Sequence, residues 1–332
     1  MYKRQLCQYV NKKEQVVNNL GMTKLIVLLM IAVCAPVRLQ AEQQSGDRTL
    51  QLTAKSITLV DGRSLSPGPS KENSGIVKSR LWPDLFWMHN DSGDEPRIYA
   101  VRKDGSVLLS DRYEVPGTLI GGAINVDWED ITVDNAGHLI VADFGNNGND
   151  RRDLVLYFLH EPAPNAGRTT WFRRVFFCYP DQLKFPAPKE DFNFDAEAIF
   201  TINNNVFVLT KHRSDSTTTL YKLDASAVKS DELVTLELVD EFDIRGQATG
   251  ADATADGKRL VIVTYTAFWL FEVEDPNRPL RGTVTWLPYT GPKQVEAVCF
   301  VDEKTLLAAD EETGKLFEIS LDKFQPAPTV TQ

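Results

Sequence analysis

Cysteine, histidine and basic charge are all scarce in this chain of 332 residues, and each shortage excludes something. There are four cysteines, and only Cys178 and Cys299 lie beyond the first 41 residues. That is too few for a disulfide framework, and both are read as small buried hydrophobes. The four histidines are dispersed, so no zinc-spaced His/Cys set exists. Neither a nucleophile elbow nor a Walker loop is present. The apolar run Leu25–Val33 is too short to span a bilayer. Residues 1–41 hold six of the 36 basic and one of the 46 acidic side chains, so the rest carries 30 against 45, a formal charge of −15. This balance argues against nucleic acid and anionic membranes as partners and suits cation binding.

The N-terminus has the pattern of a signal peptide. Lys24 precedes Leu25–Val33, with Lys3, Arg4, Lys12 and Lys13 upstream, and Leu39-Gln40-Ala41 offers a cleavage site before Glu42. Residues 1–41 are therefore expected to be removed on export, with Met22 a second candidate start that would make residues 1–21 an upstream extension. Cys34 follows Val33, where lipidation needs a small residue, so the expectation is a secreted or periplasmic protein rather than a lipoprotein.

What the chain does have is a repeat. Five phrases open beside a polar residue: Asn73-Ser74-Gly75-Ile76-Val77, Trp128-Glu129-Asp130-Ile131-Thr132, Ala196-Glu197-Ala198-Ile199-Phe200, Thr249-Gly250-Ala251-Asp252-Ala253 and Val295-Glu296-Ala297-Val298-Cys299. From Glu129 to Asp143, Glu197 to Lys211, Gly250 to Thr264 and Glu296 to Asp310 the step is 14 residues; from Ser74 to Asp91 it is 17. Between the ends of each step lie a turn and a short apolar run, such as Asp134-Asn135-Ala136-Gly137 and Leu139-Ile140-Val141-Ala142. Short β-branched runs after Asn/Asp/Gly turns indicate hairpins. An aromatic-centred third strand follows each, for example Leu156-Tyr157-Phe158-Leu159. Fourth strands are expected at Ser106–Val115, Trp171–Tyr179, Val234–Ile244 and Thr283–Tyr289. A fixed internal period means a repeat architecture. The expectation is all-β: a β-propeller of five four-stranded blades over residues 42–324, with residues 325–332 a tail. A sixth blade around Phe172–Phe194 is the alternative. The fifth repeat lacks a fourth strand, and the segment Leu50–Val60 is free to close that blade, as N-terminal strands do in propellers.

The start of a blade's first strand and the end of its second share one face of the disc. Glu129, Glu197, Glu296, Asp91, Asp143 and Asp310 should thus crowd one mouth of the central channel, with Asp127 and Asp195 two residues before their glutamates. Two readings stay open for them. They hold a hard cation such as Ca²⁺, which takes six to eight oxygens in irregular geometry, or they cap amides of neighbouring blades. Lys211, His212 and Arg213 interrupt the ring, with His89 nearby. They either bind an anionic ligand or serve as counter-ions to the ring. Trp82, Trp87 and Trp128 line a groove or pack between blades.

At Glu72-Asn73-Ser74-Gly75-Ile76, His89-Asn90-Asp91-Ser92-Gly93, Asp127-Trp128-Glu129-Asp130-Ile131 and Asp195-Ala196-Glu197-Ala198-Ile199 the chain resembles exported bacterial propellers of the esterase-like phytase and SdiA-regulated families. The likeness spans roughly residues 70–320 and implies a secreted or periplasmic propeller with calcium in the channel. The calcium cluster of true propeller phytases is not found, nor is the Glu-Gly-Pro opening of gluconolactonase-type propellers. The function expected is a monomeric binding propeller that takes a small-molecule or protein ligand at its acidic mouth, with calcium. The alternative is a metal-dependent phosphoesterase, and a pure scaffold is the third reading.

Overall fold

The computed structural model describes residues 55–69, 72–111, 114–225 and 228–328. The expected signal peptide lies outside the described residues. Five sheets, each antiparallel through its blade strands, follow one another along the chain. The first blade comprises Asn73–Lys78, Leu85–Asn90, Arg97–Arg102 and Thr118–Ile120; the second, Trp128–Val133, His138–Asp143, Val155–His160 and Arg173–Cys178. The third contains Asp195–Ile202, Asn205–Lys211, Thr217–Asp224 and Glu237–Asp243. The fourth is Ala248–Ala253, Arg259–Thr264, Ala267–Val273 and Gly282–Thr290, and the fifth Val295–Phe300, Thr305–Asp310 and Lys315–Ser320. The first strands touch in order around a ring that closes between Val295–Phe300 and Asn73–Lys78.

Five apolar cores fill the five gaps between blades, which explains why inner strands are apolar on both faces. Ile140 and Ala142 pack with Val206 and Val208 of the third blade, while Leu139 and Val141 turn the other way onto Val77 and Trp87 of the first. Ile76 and Met88 pack with Ala297 and Leu307, sealing the ring between the fifth and first blades. Each strand alternates its side chains between two neighbouring cores. Trp87 and Trp128 are fully buried in the first of these gaps, and Trp82 is partly exposed at its edge. Cys299 is a free thiol buried in the core, so it does not pair with Cys178.

The N-terminal segment closes the last blade, through Arg63–Ser64 against Lys315–Leu316. Just before it, Ile57–Thr58 runs parallel to the outer strand of the fourth blade. The same device recurs: Arg168–Thr169, preceding the second blade's outer strand, pairs with the first blade. Leu233–Thr235, preceding the third blade's outer strand, pairs with the second. Each approach segment thus covers the edge of the blade behind it, which leaves fewer unpaired strand groups.

Two expectations need correction. The first blade's outer strand is Thr118–Ile120, not Ser106–Val115. In that earlier segment Ser110 N–H bonds Val115 C=O, and among the described residues it bridges the sheet only at Val101–Val107. Phe172–Phe194 holds no sixth blade: after Cys178 the chain crosses to the third blade with a single 3₁₀ turn at Lys189–Asp191.

Candidate metal centre

Every first strand carries a β-bulge at the same place. Pairing jumps from Asn73 to Gly75, Trp128 to Asp130, Ala196 to Ala198, Ala248 to Gly250 and Val295 to Ala297. The extra residues are Ser74, Glu129, Glu197, Thr249 and Glu296, and bulges re-aim side chains in this way. Opposite the residue just before each bulge the second strands place Asn90, Asp143, Thr210, Thr264 and Asp310. The 14-residue step is therefore a true equivalence in the second and fifth blades only. In the third, Lys211 lies one residue past the equivalent Thr210; in the fourth, Thr249 and not Gly250 takes the glutamate's place. Sequence spacing cannot register a one-residue difference in loop length.

The mouth divides into a compensated and an uncompensated half. On one side Lys211 donates to Glu197 Oε1 (3.0 Å) and to the Tyr265 hydroxyl (2.9 Å), which donates to Glu296 Oε1 (2.8 Å). Arg213 reaches Asp195 Oδ2 at 2.6 Å and lies 4.0 Å from Glu197. Arg151 bonds Asp143 Oδ1 at 2.9 Å. Burial alone would lower the Lys211 pKa, but Glu197 and Tyr265 more than reverse this and raise it. Asp143 also accepts the Val126 and Asp127 amides, and Asp310 those of Gln294 and Thr313. These two carboxylates cap the loops entering their blades.

On the other side stand Glu72, Asp91, Asp127, Glu129 and Glu311, with Glu296 between the two halves, bonded to Tyr265 and close enough to act on Asp91 and Glu311. None of them forms an ion pair among the described residues. Oxygens of Asp91, Asp127 and Glu129 lie within 4.8 Å of one another, as do those of Glu72, Asp91 and Glu311. Asp91 belongs to both groups. Ser74 Oγ donates to Glu129 Oε2 at 3.3 Å, and no backbone amide reaches Glu129, Glu197 or Glu296 among the described residues. Burial raises the Asp91 pKa to about 7, and the charges of Asp127 and Glu296 add to this. Glu311 is pushed up to about 8 by burial and then by Glu296, Asp91 and Glu72. Glu129 is raised well above the carboxylate range, first by burial and then by Glu197 and Asp91. A Cβ on Gly145 would overlap both Glu129 Oε1 and Asp127 Oδ2. The glycine leaves room where two carboxylate oxygens converge, and the all-oxygen donor set fits a hard cation.

The remaining candidates lie back from this cluster. His212 is buried, with Nδ1 2.8 Å from Asp215 Oδ1 and Nε2 2.9 Å from Thr219 Oγ1. His89 is fully buried, edge-on to Trp128, and desolvation lowers its pKa to about 4, which leaves the ring neutral. Amide capping between blades is present on Asp195, which accepts the Asn146 amide (2.6 Å), and on two residues outside the predicted set. Asp130 accepts the amides of Ile199 (2.9 Å) and Ala251 (3.4 Å), and Asp252 that of Phe300 (2.8 Å). Asp130 follows a bulge, where the other blades place Gly75, Ala198, Gly250 and Ala297, so its size at a small-residue position was the available signal. Glu311, Tyr265 and Arg151 were not anticipated; Glu311 simply continues the strand end past Asp310.

No family model and no curated protein matches the chain. Solved structures with a similar course include the PQQ-bound aldose sugar dehydrogenase of Streptomyces coelicolor, at 9% identity over 80% of this chain and 98% of that one, TM-score 0.45. Hydrazine synthase of Kuenenia stuttgartiensis has 12% identity over 74% and 73%, TM-score 0.38. A chain of the mitotic checkpoint complex has 10% identity over 83% and 68%, TM-score 0.36. At these values the functional reading depends on the site alone.

Proposed function

We propose that this chain is an exported propeller that binds Ca²⁺ at the channel mouth and uses the ion to hold a ligand. The observation that carries the reading is the set of six mouth carboxylates with no ion pair among the described residues: Asp91, Asp127 and Glu129 have oxygens within 4.8 Å of one another, and the last two converge over Gly145. Carboxylates so placed repel one another and lose hydration, and a divalent cation relieves both penalties. Asp91, Asp127 and Glu129 would be the protein ligands, with Glu72 and Glu311 adjoining through Asp91. Positions not filled by these oxygens remain for oxygens of the ligand. Lys211 and Arg213 act as counter-ions to Glu197 and Asp195, so the cation of the site would come from the metal. For the same reason binding is preferred here to phosphoester hydrolysis, which needs a cationic group free to hold the phosphate.

The test is a thermal melt of the purified protein in millimolar Ca²⁺ and again in excess EGTA. An ion at about 100 times its Kd adds about 2.7 kcal/mol, a shift of roughly 5 °C or more. The shift should vanish in Asp127→Asn/Glu129→Gln. Equal melting with and without Ca²⁺ would remove this reading.

A further inference from the structure

On the face opposite the acidic mouth, a cavity of about 310 Å³ opens between the second and third blades, lined by Asp134, His138, Phe158, Trp171, Arg173 and Val206 among others. We propose that it binds a small carboxylic acid with an apolar or aromatic body, held through its carboxylate by Arg173. The volume falls at the small end of ligand pockets, and such pockets pair an apolar wall with a few convergent polar groups.

Arg173 supplies the polar group. Its guanidinium lies over the Phe158 ring at 4.2 Å, and Nη1 donates to the Ala225 and Val228 carbonyls. Its Nε and Nη2 have no partner among the described residues, and no carboxylate lies within ion-pair distance. This half-buried guanidinium faces a largely apolar cavity with two donor nitrogens unengaged among the described residues and no ion pair; a carboxylate matches its planar fork in a way an ammonium cannot. The nearby acid, Asp134, is already engaged: Oδ2 pairs with His138 Nδ1 at 2.9 Å, and Oδ1 accepts the Ala136 and His138 amides. The apolar side is prepared as well. Trp171 is half exposed yet fixed by stacking on His160, with centroids 4.3 Å apart and planes 12° apart. An exposed indole held in one orientation is a contact surface that loses little freedom when a ligand packs on it.

Calorimetric titration of the purified protein with indole-3-acetate, 3-phenylpropionate and the matching amides tests the proposal. The acids should bind saturably at one site, and each amide at least about tenfold more weakly, because a hydrogen bond to a charged group is lost. Arg173→Met should weaken the acids by a similar factor and leave the amides unchanged. Because Arg173 also ties down a loop, Val206→Phe, which fills the cavity and spares the guanidinium, serves as the second variant and should abolish binding of both. Absence of saturable heat up to about 10 mM acid, amides binding as tightly as acids, or acids binding undiminished to Val206→Phe would each overturn it.

Discussion

Removing the Asp130 carboxylate should loosen three blades at once. The side chain is almost completely buried, and its oxygens accept the amides of Ile131 (2.8 Å), Ile199 (2.9 Å) and Ala251 (3.4 Å), which belong to the second, third and fourth blades. In Asp130→Ala the Ile199 and Ala251 amides lose their acceptor in a dry part of the channel. An unsatisfied buried donor costs roughly 1–3 kcal/mol. The 3.4 Å bond is the weaker of the two, so the expected loss is about 2–5 kcal/mol, large for a single substitution. Burial raises the Asp130 pKa well above the usual range, although the three amides oppose it. Asn is the isostere of the neutral acid and keeps an acceptor, so Asp130→Asn should lose only about 1–2 kcal/mol. Equilibrium urea unfolding gives both values from the midpoint and slope. A loss under about 1 kcal/mol for Ala, or an Asn variant less stable than the Ala variant, would show that the carboxylate is not an inter-blade pin.

Three further outcomes follow from the mouth. In EGTA, Asp91 and Glu311 titrate near 7 and 8, above their unfolded values. The stability they contribute is fully present below about pH 4 and is lost as pH rises through 7 to 8. Melts from pH 5 to 8.5 should therefore fall by about 2 kcal/mol after allowing for partial exposure, and Ca²⁺ should flatten the slope; a rise with pH in EGTA contradicts the uncompensated cluster. Lys211→Met leaves Glu197 buried with only the more distant Arg213 to offset it, and urea unfolding should show a loss of about 2–4 kcal/mol. Gly145→Ala places a methyl group where the Asp127 and Glu129 oxygens converge. It should abolish the Ca²⁺-dependent shift in Tm, and a retained shift would locate the ion elsewhere.

The repeat and much of the site were legible because both depend on local patterns. Turn residues and short apolar runs marked the inner hairpins, and strand polarity put the ends of the first and second strands at one mouth, bringing Asp91 and Glu129 together as expected. The outer strand of the first blade was not legible. Ser106–Val115 has strand-forming residues, but Gly117 adopts a left-handed conformation and the chain joins the sheet only after it. Whether such a segment pairs with its neighbouring strand or folds on itself is a choice between a distant partner and a local one, which local strand propensity does not decide.

The amino-acid sequence by itself determined the five-fold repetition and the acidic character of one mouth. Each follows from composition or from spacing within one hairpin. Tertiary structure alone decided which carboxylates are neutralised and which are left facing one another. Glu197 and Glu129 occupy equivalent bulges in similar phrases, yet one meets Lys211 and the other meets Asp91 and Asp127. Lys211 comes from the hairpin of Glu197 itself, whereas Asp91 reaches Glu129 from the neighbouring blade, and electrostatic energy depends on such distances across the ring, which no separation along the chain records.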